Sequence, residues 1–450
     1  MKTILILIAC MLLVAAPFSY AQEEVIQDQT QAVAPAADLF ARDSYRIDTI
    51  VCPFKDDIDY EPGEIECGLL EVPENRENAD SRFIELHFVK LNSRWGKEAD
   101  EDESDKYAEG LADGRREDPV IYLTGGPGAP VTYYVDRFKD HTLLDHRDLY
   151  ILEQRGIGSS DDFCPFYGGR NPSDLLTFKD SLEATNNDIT ACANSARAAG
   201  VDLTGYNSIE NARDVKALRR ALKFKQWNVW GISYGSILGQ AYVKEDAEGI
   251  KAIALDAIMP LSIEASDEYW RVVKWYDRDL KKMQEICDRQ PDCAKHYPDI
   301  GGRLRQAVKS MFDNPIVVDV KDTEIYPSGK AYFFQDIVAI LPFLFFYEQD
   351  NYPGIPGLIY AWADAVERRD ETLFKALASV WGAGYSDGGD GMSNAILCID
   401  GDVPSLERAG EQDRIEYPIL GKAISSPDSL ARATALCAEL GMPMRSRDEF

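Results

Sequence analysis

The sequence predicts an α/β fold in which a mostly parallel sheet carries helices on both faces and is followed by a largely helical insertion. Three observations support this prediction. Short apolar runs alternate with amphipathic helical segments up to about residue 260, two of those runs stop at glycine-rich turns, and residues 261–395 are rich in aromatic residues and helix formers. Strands that alternate with helices indicate parallel strand–helix–strand units.

Residues 1–21 are typical of an export signal. Lys2 gives a positive start, residues 4–16 are almost wholly apolar, and Ser19-Tyr20-Ala21 has the small-x-small pattern of a cleavage site. The apolar run is shorter than the roughly 20 residues that span a bilayer. It continues past Cys10, which argues against the alternative of a lipoprotein box. We therefore predict an exported chain, periplasmic or extracellular, without a membrane span.

Composition excludes some classes of partner. The net charge is −29, from 48 Lys+Arg and 77 Asp+Glu. Such a surface repels nucleic acid and anionic lipid, and solubility alone accounts for it. The alternative is that the field favours cationic ligands, such as the free amine of a peptide. Because the 4 histidines do not lie at ligand spacing from a cysteine pair, we predict neither a metal site nor a cofactor. The oligomeric state stays open.

The cysteines agree with export. Eight of the 9 cysteines follow the predicted signal peptide. An even number in an oxidising compartment indicates disulfides, although sequence alone does not choose among the possible pairings. We expect sequential pairing because each such pair brackets a short loop. The expected pairs are Cys52–Cys67, Cys164–Cys192, Cys287–Cys293 and Cys398–Cys437.

The elements of the chain are predicted in order. A flexible leader over 22–44 precedes the N-terminal part of the core, 45–260, which holds an acidic loop over 96–118. The predicted strands are 83–89, with the alternation of an exposed antiparallel strand, then 119–123, 148–153, 227–230 and 250–255; the predicted helices are 210–224 and 236–243. A helical cap follows over 261–395, with one strand at 316–320. Residues 396–450 are expected to begin a C-terminal core part.

The central motif is Gly231-Ile232-Ser233-Tyr234-Gly235, which lies between a predicted strand and a predicted helix. This context turns the pattern Gly-x-Ser-x-Gly into a nucleophile elbow, the signature of the α/β-hydrolase fold. The turn is tight and strained, so small residues are needed on both sides of the serine. The hydroxyl then stands exposed beside a helix N-terminus that favours developing negative charge. We predict Ser233 as a catalytic nucleophile.

A second glycine-rich turn predicts the oxyanion hole. Gly125-Gly126-Pro127-Gly128 follows a predicted buried strand upstream of the elbow, where such folds place this element. Glycines there let backbone N–H groups approach a substrate oxygen without interference from Cβ. We predict that the amides of Gly126 and Tyr234 stabilise the oxyanion. The alternative for the glycines is an ordinary Gly-Pro turn.

These motifs occur in the order seen in prolyl iminopeptidases and tripeptidyl aminopeptidase-like exopeptidases. Residues 124–128, Thr-Gly-Gly-Pro-Gly, resemble the family's His-Gly-Gly-Pro-Gly, and residues 153–159, Glu-Gln-Arg-Gly-Ile-Gly-Ser, resemble its Asp-Gln-Arg-Gly-x-Gly-x-Ser. Segments 255–260, 287–299 and 395–400 are also similar, so the resemblance covers about residues 45–445. It implies an exopeptidase whose cap carboxylates bind the free amine of the substrate.

The catalytic base is not found by this pattern. In α/β-hydrolases the acid and then the histidine follow the nucleophile along the chain. After Ser233 the sequence has His296, which lies in the predicted cap, while His141 and His146 precede the serine. We therefore leave the catalytic histidine unassigned, with His296 as a weak candidate.

The catalytic acid is equally open. Asp256 ends the strand after the nucleophile helix and is the candidate acid, although the resemblance favours a structural role; Asp400 is a weaker candidate. The family continues past the position of Cys437 with further strands, an acid loop and a Gly-His turn. We expect a sequence truncated at Phe450, with the acid and base beyond it. The alternative is a chain that has lost its triad.

Three functions are consistent with these residues. The favoured one is an exported aminopeptidase of the prolyl or tripeptidyl type that cleaves peptide amide bonds through an acyl-enzyme on Ser233. The second is a secreted esterase or lipase-like enzyme, since the same elbow serves esters. The third is a non-catalytic binding protein built on a hydrolase fold.

Overall fold

A computed structural model describes residues 45–94, 116–164, 177–261, 267–323, 326, 328–347, 349–384, 390–400 and 403–445. The predicted signal peptide, the predicted leader and most of the predicted acidic loop lie outside the described residues. None of the described helices combines the length and the apolar character needed to cross a membrane.

One sheet of seven strands organises the first half of the described chain. Its order is β1-β2-β3-β5-β4-β6-β7. Strands β5, β4, β6 and β7 are parallel neighbours, whereas β1, β2 and β3 pair antiparallel and β3 pairs antiparallel with β5. All strands except β1 and β3 therefore run in one direction, as predicted. The strands are β1 Ile47–Ile50, β2 Ile65–Pro73, β3 Phe83–Leu91, β4 Val120–Leu123, β5 Leu149–Leu152, β6 Trp227–Ile232 and β7 Ile250–Asp256.

The predicted strand 83–89 is antiparallel, but its predicted exposure is wrong. β3 lies between β2 and β5, and the side chains of His87, Phe88 and Val89 are buried. The alternation of the sequence does not reveal this burial, because covering the second face depends on segments distant in sequence. Phe54, for example, lies edge-on to the His87 ring at 6.3 Å.

Four α-helices lie in this part of the described chain, and three of them pack on the sheet, whereas the second packs against the C-terminal helices. Helix α3 begins where the side chain of Asn207 accepts a hydrogen bond from the Glu210 amide, and it buries Ala212, Val215 and Leu218, the face that the 3.6-residue period predicts. Helix α4 is buried along most of its length. The helices are α1 Val131–Phe138, α2 Phe178–Ala198, α3 Ser208–Ala221 and α4 Tyr234–Asp246.

The helical region after the sheet has an apolar core of its own. Trp362 and Phe374 are fully buried in it, and the predicted strand 316–320 is observed as β8 Ile316–Asp319. β8 pairs with β9 Lys330–Phe333, a strand that the sequence analysis missed. The helices are α5 Val272–Asp288, α6 Pro291–His296, α7 Ile300–Lys309, α8 Gln335–Ile340, α9 Ile355–Arg368 and α10 Glu371–Gly384.

The last part of the described chain packs against both regions. Met392 and Ala395 join the core beneath the sheet, whereas Leu420 and Ala423 complete the core of the helical region. The packing therefore does not change at one position near residue 395. These helices are α11 Asp390–Ile399, α12 Val403–Glu416, α13 Leu420–Ile424 and α14 Pro427–Leu440.

All four predicted disulfides are present. They join Cys52 to Cys67, Cys164 to Cys192, Cys287 to Cys293 and Cys398 to Cys437. The second and fourth pairs pack together in one small apolar cluster, which ties the C-terminal half of α2 to the C-terminal helices.

Strand β7 forms an edge of the sheet and is unusually open. Residues 251–254 are all exposed, and successive side chains of a strand point to opposite faces. Ile253 is 38% exposed, and Ile258, just beyond the strand, is 56% exposed. Parallel strands are ordinarily covered on both faces. Strand β7 has the apolar sequence of such a strand, but no described segment covers residues 251–254.

Candidate active site

Ser233 lies at a sharp turn between β6 and α4. Its φ is 55° and its ψ −122°, a backbone conformation that residues other than glycine rarely adopt. The glycines on each side make the turn possible. A Cβ on Gly231 would lie 2.3 Å from the Gly235 carbonyl oxygen, and one on Gly235 would lie 2.1 Å from the Leu123 carbonyl oxygen. The local sequence therefore forms a strained elbow, as predicted for Gly-x-Ser-x-Gly.

Hydrogen bonds to the backbone of Ser233 hold the elbow. Its N–H donates to the Asp256 carbonyl at 3.1 Å, and its carbonyl accepts from the Ser236 amide at 2.8 Å and hydroxyl at 2.7 Å. The Ser236 hydroxyl also accepts from the Met259 amide at 2.8 Å. The Ser233 side chain is half-buried, and its hydroxyl has no hydrogen-bond partner among the described residues.

The glycine-rich turn lies beside the serine. A Cβ on Gly125 would be 3.3 Å from the Ser233 Cβ. Gly126 and Gly128 have φ values of +109° and +102°, which favour glycine, and the Gly126–Pro127 peptide is cis. The Tyr234 amide is at the first position of α4, where no intrahelical carbonyl is available to it. The glycine-rich turn and the first turn of α4 therefore both adjoin Ser233.

Glu153 connects the glycine-rich turn to the second predicted turn. Its carboxylate accepts from the Val131 amide at 3.2 Å and from the Ser159 amide at 2.9 Å. A Cβ on Gly158 would lie 3.0 Å from the Glu153 Oε1, so a glycine there leaves room for the longer glutamate. The sequence pattern of residues 153–159 does not reveal this bridging role of Glu153.

The side chains of Gln154 and Arg155 make buried hydrogen bonds that hold the same turns. The Gln154 amide donates to the Thr124 carbonyl at 3.1 Å and hydroxyl at 2.9 Å. Arg155 is fully buried and makes two 2.8 Å bonds to the Asp214 carboxylate. Burial opposes ionisation of Glu210 beside it, but the charges of Arg155 and Arg76 hold the pKa of Glu210 below its ordinary value.

The match to known families agrees with this geometry. The family model described as the alpha/beta hydrolase fold matches residues 118–295, from the start of the parallel strands into the helical region. The chain carries the α/β-hydrolase fold. The predicted fold class is thereby confirmed.

Known proteins similar to this chain are distant. It is 25% identical over 180 residues to "Putative hydrolase YuaR" of Escherichia coli (strain K12), a match over 40% of this chain and 34% of that protein. The match thus spans about a third of that relative's length. The structure of juvenile hormone epoxide hydrolase from the silkworm Bombyx mori is 13% identical, covers 72% of this chain and 58% of its own, and has a TM-score of 0.26. Epoxide hydrolase VrEH1 from Vigna radiata is 16% identical over 45% of this chain and 44% of its own, with a TM-score of 0.25.

The 4 histidines lie in β3, in the segment between α1 and β5, and at the end of α6. His87 is buried in β3 with its Nδ1 3.7 Å from the Glu153 Oε2. The Nδ1 of His141 accepts from the Leu143 amide, and that of His296, on the cap surface, lies 2.7 Å from the Asp292 carbonyl oxygen. Among the described residues, no histidine contacts the Ser233 hydroxyl.

The two candidate acids lie in different surroundings. The Asp256 side chain is exposed and accepts from the Ala257 amide at 2.7 Å. Asp400 is buried, and its carboxylate accepts from the Ser208 hydroxyl at 2.5 Å. Among the described residues, no group of three or more His, Cys, Asp or Glu residues could hold a metal ion.

Proposed function

We propose that Ser233 is the nucleophile of a serine hydrolase that cleaves peptide amide bonds, an exported aminopeptidase of the prolyl or tripeptidyl type. One observation carries the proposal. Ser233 sits at a positive φ of 55° between strand and helix, and a Cβ on Gly125 would lie 3.3 Å from its own Cβ. Strain of this kind persists where the surrounding structure enforces it, and it clusters at functional sites.

The proposed chemistry is acyl transfer. The Ser233 hydroxyl attacks the carbonyl carbon of the scissile amide, and its proton passes to a base. The carbonyl oxygen becomes an oxyanion that accepts hydrogen bonds from the amides of Gly126 and Tyr234. The amine leaves with a proton, and water then hydrolyses the acyl-enzyme.

In this proposal, the base that accepts the Ser233 proton belongs to a segment outside the described residues. The Ser233 hydroxyl, which has no hydrogen-bond partner among the described residues, supports this view, as does the open edge of the sheet. Strand β7 is exposed over residues 251–254, and the carbonyl of its last residue, Asp256, binds the Ser233 amide. A segment docked along β7 would therefore lie beside the nucleophile.

Export and a substrate with a free amine are supported by separate observations. Four disulfides fit an oxidising compartment. A net charge of −29 attracts a cationic peptide N-terminus more than a blocked one.

Reaction with a fluorophosphonate probe tests the nucleophile, and a substrate panel tests the class. Ser233→Ala should abolish labelling and lower hydrolysis by about a thousandfold or more. Ser195→Ala is the matched control, because its exposed hydroxyl bonds to the Ala191 carbonyl on α2. The panel compares peptide amides with free and blocked N-termini and short aryl esters. Preference for free amines supports an aminopeptidase, faster aryl-ester cleavage supports an esterase, and hydrolysis unchanged by Ser233→Ala contradicts the proposal.

A further inference from the structure

Helix α11 contacts the glycine-rich turn directly. The Ser393 hydroxyl donates a 2.6 Å hydrogen bond to the carbonyl of Pro127. The residues are separated by 266 positions in the chain. Met392 and Ala395 of the same helix are fully buried against the core that also contains Tyr234. The helix therefore packs on both motifs of the candidate site.

Just after α11, Asp400 connects to the residue that follows the nucleophile. Its carboxylate accepts from the Ser208 hydroxyl at 2.5 Å, and the Ser208 oxygen lies 2.7 Å from the Tyr234 hydroxyl. Because an ionised carboxylate only accepts, the Ser208 proton points to Asp400 and the Tyr234 hydroxyl must donate to Ser208. The Tyr234 oxygen then accepts from the Asn211 amide at 3.3 Å.

This chain of hydrogen bonds is removed from solvent. Tyr234 is 1% exposed, Ser208 0% and Asp400 3%. Burial and the charge of Asp400 raise the pKa of Tyr234, so its hydroxyl stays a donor at neutral pH. Buried networks of this kind fix side-chain position more firmly than exposed ones.

We propose that Asp400 is a positioning residue for the oxyanion site. Through Ser208 it holds Tyr234, while Ser393, on the helix α11 that ends just before Asp400, holds the Gly126–Pro127 turn. This inference rests on the proposed function of the elbow. It assigns to α11 and the residue after it the alignment of the two oxyanion donors, the amides of Gly126 and Tyr234. Asp400 acts through other residues and does not touch the substrate. A shift of a donor by a fraction of an ångström weakens its bond to the oxyanion, so rate suffers more than binding.

The test compares Asp400→Asn with Asp413→Asn in the full chain. Asp413 is equally buried, binds Arg271 in the helical region and controls for loss of a buried carboxylate. We expect Asp400→Asn to lower kcat about tenfold with little change in KM, and to speed amide hydrogen exchange at residues 233–236 and 125–128 about threefold. Asp413→Asn should leave kcat and exchange in these two segments unchanged.

Two milder variants keep the proposal falsifiable where Asp400→Asn folds poorly. Tyr234→Phe removes the hydroxyl that donates to Ser208, and Ser393→Ala removes the hydrogen bond to the Pro127 carbonyl. Tyr234→Phe should reproduce the exchange at 233–236, and Ser393→Ala that at 125–128. In the double variant of Asp400→Asn with Tyr234→Phe, kcat should fall no further than in the worse single variant, because both act through one chain.

The outcomes separate this inference from the function beneath it. Unchanged exchange at both segments, or equal changes in Asp413→Asn, overturns the positioning role even when Ser233→Ala abolishes hydrolysis. Hydrolysis that survives Ser233→Ala overturns the proposed function, whereas the exchange measurement still reports whether Asp400 and Ser393 order the two segments.

Discussion

The Leu123 carbonyl oxygen occupies the space that a side chain on Gly235 would need. A Cβ on Gly235 would lie 2.1 Å from that oxygen. Leu123 ends β4 and Gly235 lies in the first turn of α4, so this approach sets how closely the helix after Ser233 can pack on the sheet. The Leu123 oxygen is a backbone atom and a Cβ is fixed to the backbone, so neither can move aside as the end of a flexible side chain would.

Gly235→Ala should therefore destabilise the fold by about 3 kcal/mol or more and abolish labelling of Ser233. Gly354→Ala is the matched control, since φ there is −90° and its Cβ would meet nothing nearer than the Leu358 Cδ1 at 3.9 Å. Urea unfolding measures both variants. Equal stability of the two would show that the elbow tolerates a side chain.

Glu153→Gln should weaken the connection between the two glycine-rich turns. One carboxylate oxygen becomes an NH₂ group that faces an amide donor, either from Val131 or from Ser159. We expect a loss of about 1–3 kcal/mol in unfolding free energy, because a buried donor then lacks an acceptor. The control is Glu371→Gln, whose exposed pair with Lys375 should contribute under about 0.5 kcal/mol. A loss no larger than in this control would contradict the bridging role of Glu153.

Asp214→Asn should be among the most destabilising single changes in the core. It removes the carboxylate that makes two hydrogen bonds to the fully buried Arg155 guanidinium and leaves Glu210, at 3.6 Å, as the remaining acidic neighbour. Breaking a buried ion pair in this way costs about 3–5 kcal/mol. Asp319→Asn, which removes an exposed partner of Lys330, should cost under about 1 kcal/mol. Denaturant unfolding at pH 7 compares them, and similar losses would argue against the importance of the buried pair.

Acid should act on the same network through Glu210. Its pKa is lowered in the folded state, so its contribution to stability is present above its unfolded value of 4.5 and is lost as pH falls through the folded value. Glu210→Gln should therefore cost less at pH 3 than at pH 7. A cost independent of pH would mean that the charge of Glu210 does not contribute.

Asp336 should act in the opposite direction. Burial raises its pKa from 3.8 to about 6. The folded state then binds the proton more tightly than the unfolded state, so Asp336 destabilises the fold as pH rises from about 4 through 6. Asp336→Asn should stabilise the protein at pH 7.5 by roughly 1–2 kcal/mol and have little effect at pH 3.5. The exposed Asp313→Asn is the control, and equal effects of Asp336→Asn at both pH values would contradict the shifted pKa.

The features that the sequence predicted are local in the chain. The elbow at Ser233 follows from small residues two positions away on each side, and the strands and helices follow from the period of their apolar residues. The disulfides fit the same rule, since each joins cysteines separated by 39 residues or fewer. Patterns of this range determine backbone conformation directly.

The supports of the site were decided only by the tertiary structure. Asp400 reaches Ser208 across 192 residues, and Ser393 reaches Pro127 across 266. The burial of β3 has the same origin, since Phe54, which packs edge-on against His87, lies outside the strand's own sequence pattern. A hydrogen bond between distant residues leaves no period or spacing in the sequence, because its geometry exists only when helix and sheet have packed. The sequence by itself therefore determined where the strained turn at Ser233 would form, and packing determined what holds the groups around it.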